Sequence, residues 1–185
     1  MQPVLFGLLI TLLSVQLIVI GVLASFAVTL FLGSPWVPTP PGRARRMLEF
    51  AEFRPGETLL DLGSGDGAIL LCAVEDFGAG RATGYEINPV LVAMARWRAW
   101  LRKTQGRVVT ERKNIFTTRL PDVQVVSTFL IPSTMKRLRH KFATELKPDT
   151  RIISRGFAIP GVTPAQKREG PEEWMYLYRA GDLVE

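Results

Sequence analysis

The chain has 185 residues, 23 of them Lys or Arg and 17 Asp or Glu, so it is long enough for one domain and carries a net charge of +6. Its one cysteine, Cys72, excludes an internal disulfide, and within an apolar helical segment it reads as a small core residue rather than a nucleophile. The basic balance calls for an anionic partner, either nucleic acid or anionic lipid.

The first charged side chain is Arg43, and Val4 to Leu32 is apolar apart from Gln16 and a few Ser, Thr and Gly. As a helix this run would be about 43 Å long against a hydrocarbon core of about 30 Å, enough to cross a bilayer with tilt. A cleaved secretory signal has a basic start and a shorter apolar core, whereas Met1-Gln2-Pro3 offers no basic residue. A run apolar on every side marks a membrane span or the core of a large protein, and the buried core helix is the disfavoured reading here. The expectation is a single transmembrane helix over residues 4–32. Arg43, Arg45 and Arg46 beyond it would hold the following domain on the cytoplasmic side, or on the matrix side in a mitochondrion. Residues 33–42 read as a stiff linker, because Pro35, Pro38, Pro40 and Pro41 forbid a continuous helix.

Residues 43–185 then form the domain. A predicted helix over 43–53 stops at Arg54-Pro55-Gly56. The pattern continues with strand 57–62, helix 67–77, strand 81–86, helix 89–104, strands 107–112 and 122–130, helix 134–146, and strands 150–155 and 173–179. Such alternation predicts a Rossmann-like α/β fold with a parallel sheet and right-handed crossovers. The stretch Phe157 to Pro171, rich in Pro and Gly, reads as irregular. Two predicted helices mix basic with apolar residues, as surfaces near a membrane do: one with Arg96, Trp97, Arg98, Trp100, Arg102 and Lys103, the other with Lys136, Arg137, Arg139, His140 and Lys141. In the second, Met135, Leu138, Phe142 and Leu146 form a core stripe, and His140 among its cations is a poor general base.

The chemistry concentrates between Leu59 and Gly67. An apolar strand ends in Asp61, and the turn Gly63-Ser64-Gly65-Asp66-Gly67 lets the backbone approach a ligand before a helix opens. About 20 residues further on a second strand ends in Glu86, where a βαβ unit places a carboxylate on ribose hydroxyls. Glycine spacing alone also admits a dinucleotide, since Gly63-x-Gly65-x-x-Ala68 satisfies its relaxed fingerprint. Charge separates the two cofactors. A pyrophosphate would face Asp61 and Asp66, whereas the cationic ammonium and sulfonium of S-adenosylmethionine suit them. Asp61 would take the ammonium, the helix N-terminus the carboxylate, Glu86 both ribose hydroxyls and Asn114 the adenine edge.

The run Asp61 to Gly67 resembles motif I of the seven-strand, class I methyltransferases. With Gly84-Tyr85-Glu86-Ile87-Asn88-Pro89, Val37-Pro38-Thr39-Pro40, Asn114-Ile115-Phe116 and Phe129-Leu130-Ile131-Pro132, it is similar to a membrane-anchored group: the protein-lysine methyltransferases of the ATP synthase c-subunit and the adenine nucleotide translocator, with their prokaryotic relatives. The pattern departs from that group at Ala68, where it usually has Arg, and at Asn114-Ile115-Phe116, where it usually has Asp-Leu-Trp. The resemblance implies S-adenosylmethionine as cofactor and a lysine of a membrane-embedded protein as methyl acceptor, with lipid contact and without nucleic acid. The turn around Phe129, Ile131 and Pro132, with Tyr176 or Tyr178, is a candidate channel for the amine. A lipid or quinone acceptor and a tethered NAD-binding oxidoreductase are the alternatives.

Overall fold

The computed structural model describes residues 2–32, 36–170 and 173–183. The apolar segment is one helix, α1 (Gln2–Leu32), of 31 residues. Two of its hydroxyls bond within the helix: Thr11 donates to the Gly7 carbonyl and Ser14 to Ile10, both at 2.9 Å. Its stretch from Leu5 to Ala24 is long and apolar enough to cross a membrane by length and composition. Residues 33–35 of the expected linker lie outside the described residues.

The domain alternates as expected: α2 (Pro41–Phe50), β1 (Thr58–Leu62), α3 (Ala68–Glu75), β2 (Arg81–Glu86), α4 (Pro89–Leu101), β3 (Val108–Arg112), β4 (Val125–Thr128), α5 (Pro132–Glu145), β5 (Arg151–Arg155), β6 (Gln166–Glu169) and β7 (Trp174–Arg179), closed by a short 3-10 turn (Ala180–Leu183). Helices α2, α4 and α5 each open on proline, whose missing N–H costs nothing in a first turn. The strands form one sheet in the order β3-β2-β1-β4-β5-β7-β6. The chain therefore reverses direction across the sheet between β1 and β4, and parallel pairing sets Asp61 of β1 between Gly84 of β2 and Ser127 of β4.

The structure departs from the expectation at three points. The sheet is mixed rather than parallel, since β7 pairs antiparallel with both β5 and β6. The stretch expected to be irregular holds β6, whose Gln166, Lys167, Arg168 and Glu169 are all exposed. An exposed edge strand of charged and polar residues carries no apolar alternation to betray it. β4 is also shorter than expected, because Phe129 and Leu130 already belong to the turn over the site.

Successive residues of the central strands feed opposite faces, as the period of two requires. Leu59, Val125 and Ile153 pack with α2 and α3, while Leu60, Val126 and Ile152 pack with α5. Met47 and Leu48 of α2 are fully buried in the first cluster, each worth about 1.5–3 kcal/mol of transfer free energy. Arg151 ties the end of α2 to the sheet, donating to the carbonyls of Ala51 and Glu52 at 2.8 and 2.6 Å and pairing with Glu57. Cys72 is buried as expected, and burial pushes its thiol up to about 12.

Candidate active site

The site is built where the chain leaves β1. The N–H groups of Gly63 and Ser64 both donate to the Tyr85 carbonyl at the end of β2, at 2.9 and 3.2 Å, so the loop after β1 is folded across its neighbour. Ser64 then sits against Gly84, where a Cβ would approach its Oγ to 2.4 Å, and only glycine leaves room. Gly67, at φ +78°, caps α3 without any side-chain acceptor, which leaves the first N–H groups of that helix facing the cavity at Ala68 and Ile69. The Ser64 hydroxyl is buried and has no hydrogen-bond partner among the described residues.

Glu86 binds two turns together. One carboxylate oxygen accepts from the Gly65 N–H at 2.9 Å, and the other from the N–H groups of Ile87 and Asn88 at 2.8 Å each. Asn88 caps α4 through its side chain, accepting from Val90 and Leu91. A carboxylate offers about four acceptor positions, so three backbone donors leave room for one further hydroxyl rather than the two expected.

Asp61 is 3% exposed, and its Oδ1 accepts from the Ser127 hydroxyl at 2.6 Å. Burial, opposed by that hydrogen bond and aided by the nearby Glu86 and Asp66 carboxylates, pushes its carboxyl up from an ordinary 3.8 to about 7. The second acidic group behaves differently. Asp66 is paired with Arg98 of α4, which also donates to the Asp66 carbonyl at 3.1 Å. An arginine 32 residues away neutralises the charge that was expected to repel a pyrophosphate, and half of the electrostatic argument against a dinucleotide falls with it.

These groups open into a cavity of about 970 Å³, open solvent at its mouth included. Asp61, Gly63, Ser64, Gly65 and Asp66 line one side, and Glu86, Ile87, Asn114, Ile115 and Phe116 a second. Asn114 also accepts from the Phe116 N–H at 2.9 Å, the local turn that its residue type favours. Phe129 and Leu130 form the far wall with Thr134. Phe129 rests on the Arg155 guanidinium, 4.3 Å from its ring centre, and Arg155 is itself buried. Arg155 lies 3.3 Å from Glu173 without hydrogen-bond geometry, while Arg46 makes the well-formed bond to Glu173 at 2.8 Å.

Several expected site residues stand elsewhere. Ile131 caps α5 and Pro132 is its first residue, so neither reaches the cavity; Leu130 and Thr134 do. Tyr176 donates to Glu169 at 3.2 Å, and the Tyr178 hydroxyl accepts from the Ile159 N–H at 2.9 Å within the core. The cavity has a part that sequence reasoning missed. Trp36, Val37 and Thr39 roof it, with the Trp36 indole over Gly65, where a Cβ would lie 2.7 Å from Nε1. An aromatic within a proline-rich linker was the available signal.

The family described as the ANTKMT methyltransferase domain matches residues 61–166. A protein-lysine N-methyltransferase of Saccharolobus islandicus is 34% identical over 152 residues, covering 80% of this chain and 94% of that protein. An adenine nucleotide translocase lysine N-methyltransferase of Mus musculus is 38% identical over 160 residues, covering 85% of this chain and 69% of that protein. Among solved structures, an RNA methyltransferase of Salinibacter ruber in complex with S-adenosyl-L-homocysteine shares 32% identity at a TM-score of 0.77, covering 80% of this chain and 97% of that one. The chain belongs to the ANTKMT methyltransferase domain family.

As a member it is an S-adenosylmethionine-dependent methyltransferase with the class I sheet. The cavity fits that cofactor. An acidic group faces an uncapped helix N-terminus and an unpartnered hydroxyl, which suits a zwitterionic amino-acid end, and the apolar side chains Ile87, Ile115 and Phe116 suit a flat base.

Two measurements check these assignments in the methyltransferase. Asp61 must ionise to meet an ammonium, so cofactor affinity rises with pH through about 7 and falls again as the ligand amine deprotonates near 8. The unliganded fold runs the other way: its Asp61 is raised, so stability is full below the ordinary value and is lost as pH climbs towards about 7, by up to about 4 kcal/mol. Asp61→Asn removes both trends. Calorimetric titration giving equal affinity at about pH 6 and 7.5 would show that Asp61 does not hold the ammonium.

Glu86→Ala weakens the cofactor at least tenfold, since charge-assisted bonds are worth about 1.5–3 kcal/mol each. It also lowers thermal stability, because the Gly65, Ile87 and Asn88 amides lose their acceptor. Parent-like affinity in the variant would place the cofactor elsewhere.

Proposed function

We propose that this methyltransferase acts from a single-pass membrane anchor on the ε-amino group of a lysine in a membrane-embedded protein, with its domain on the cytoplasmic side or, in a mitochondrion, the matrix side. One observation carries the anchored reading. The roof of the cavity begins at Trp36, four residues after α1 ends at Leu32, and four residues reach at most about 14 Å. If α1 crosses a bilayer, the mouth of the site lies at its surface. The Saccharolobus and mouse relatives supply the acceptor, both being named for lysine methylation. Asp61, Gly63, Ser64, Gly65, Asp66 and Glu86, with Asn114 at the base, are the residues proposed to hold the cofactor, Gly67 acting through the N-terminus it gives α3.

S-adenosylmethionine supplies a methyl group on a positively charged sulfur, open to displacement by a neutral amine. A lysine with an ordinary pKa near 10.4 costs about 4 to 5 kcal/mol to deprotonate at pH 7. The wall of Phe129 and Leu130 removes water from the amine, and desolvation lowers such a pKa by up to about 3–5 units. The amine nitrogen lone pair forms the new C–N bond, the C–S pair returns to sulfur, and the proton goes to solvent. Positioning is then the enzyme's main work, and Phe129, held by Arg155, sets the direction of approach.

Membranes lacking the protein, supplied with the purified full chain and radiolabelled methyl donor, acquire label in a protein band whose hydrolysate contains methyllysine. Label confined to the lipid extract would assign a lipid or quinone acceptor, and label in RNA would assign the acceptor named for the Salinibacter structure; either outcome displaces the lysine reading.

Deleting Met1 to Leu32 spares the roof residues, so cofactor affinity stays at the parental level while methylation in membranes falls steeply, since tethering raises effective concentration towards the millimolar range. A foreign span joined at the same point restores it. Equal activity on membranes with and without the span would argue for a soluble acceptor.

A further inference from the structure

We propose that the outward face of α4 is a second membrane contact, seating Trp97, Trp100 and Leu101 in the interfacial layer of an anionic bilayer beside the exit of α1. This rests on the reading of α1 as a membrane span and adds to it the face on which the domain lies. α4 buries Leu91, Val92, Ala95 and Ala99 against the sheet. Trp97, Trp100 and Leu101, at i, i+3 and i+4, share the opposite side and are 59%, 61% and 51% exposed. Outside α1, four large hydrophobic side chains among the described residues are more than half exposed, and three of them fall within these five positions.

Chemistry and position agree on the occupant. Tryptophan is the residue of membrane interfaces, where its ring and its N–H meet different surroundings. The stripe is bordered by exposed Arg102, Lys103 and Arg107, with Arg102 held 3.4 Å from Glu75 in an exposed pair. Cations flanking an apolar stripe complement anionic headgroups. α1 and α4 are in contact, so the apolar span leaves the domain at this helix. The sequence offered two basic helices for such a role, and the structure separates them. α5 lies on the other face of the sheet, its apolar residues Met135, Leu138 and Phe142 are buried, and it presents no large exposed hydrophobic side chain. With α4 lying flat, the cavity mouth at the end of β2 opens along the bilayer surface.

The test uses the full chain carrying Cys72→Ala in nanodiscs of phosphatidylcholine containing phosphatidylglycerol. Spin labels are placed singly through Trp97→Cys, Leu101→Cys, Lys167→Cys on the far edge, and Val15→Cys within α1. Collision rates with oxygen and with an aqueous nickel reagent report depth. The expected result is a severalfold loss of nickel collisions with retained oxygen collisions at positions 97 and 101, an aqueous signature at 167 and a deep one at 15. Positions 97 and 101 as accessible to nickel as 167, with 15 deep, would overturn the α4 contact and leave the span intact. Low collision with both reagents at 97 and 101 would mean cover by protein, such as a second copy, and overturns it too. An aqueous signature at position 15 overturns the span itself, and this proposal with it.

Discussion

Three backbone N–H groups converging on the Glu86 carboxylate hold the site in shape. Gly65 belongs to the loop after β1, and Ile87 and Asn88 to the turn after β2. Each N–H would otherwise be stranded near the floor of a cavity, where an unsatisfied donor costs about 1–3 kcal/mol. The carboxylate thus holds the loop after β1 against the turn after β2 along one side of the cavity. A residue type chosen for a ligand is at the same time the clasp of the empty site, so loss of binding and loss of local order are not separable at this position.

Asp61 shows the complementary economy. A carboxyl at the end of a central strand, between Gly84 and Ser127, is too dry to ionise freely, and its one strong partner is a neutral hydroxyl. Burial there disfavours the charged protein without ligand and favours the complex with a cationic one. Under the proposed assignment an ammonium would meet this acid, and selection between a methyl donor and a phosphate-bearing cofactor would rest chiefly on one side chain. Asp66, satisfied by Arg98, takes no part in that selection.

What the sequence disclosed depended on how local the signal was. The β1–α3–β2 unit was legible because glycines, terminal acids and apolar strands lie within thirty residues of one another. α1 was legible from composition alone. The Asp66–Arg98 pair was not, since the register of α4 against the loop is a tertiary fact. β6 escaped because its exposed, charged and polar residues show no apolar alternation. Tyr176, Tyr178 and Pro132 were drawn to the channel by residue type, and packing sent them to Glu169, to the core and to a helix start. The roof was missed because it comes from the linker, a segment whose composition says stiffness and nothing of where it lies.

That roof has a mechanical consequence. Trp36 to Thr39 belong to the eight residues between Leu32 and Pro41, and those residues are held at both ends, by a long helix on one side and by the docked α2 on the other. A flap on a free terminus surrenders much chain entropy each time it closes, whereas a strap this short and proline-rich has little left to surrender. Closing over a ligand is correspondingly cheap. The same shortness limits how far Trp36 to Thr39 can move away from the cavity they roof.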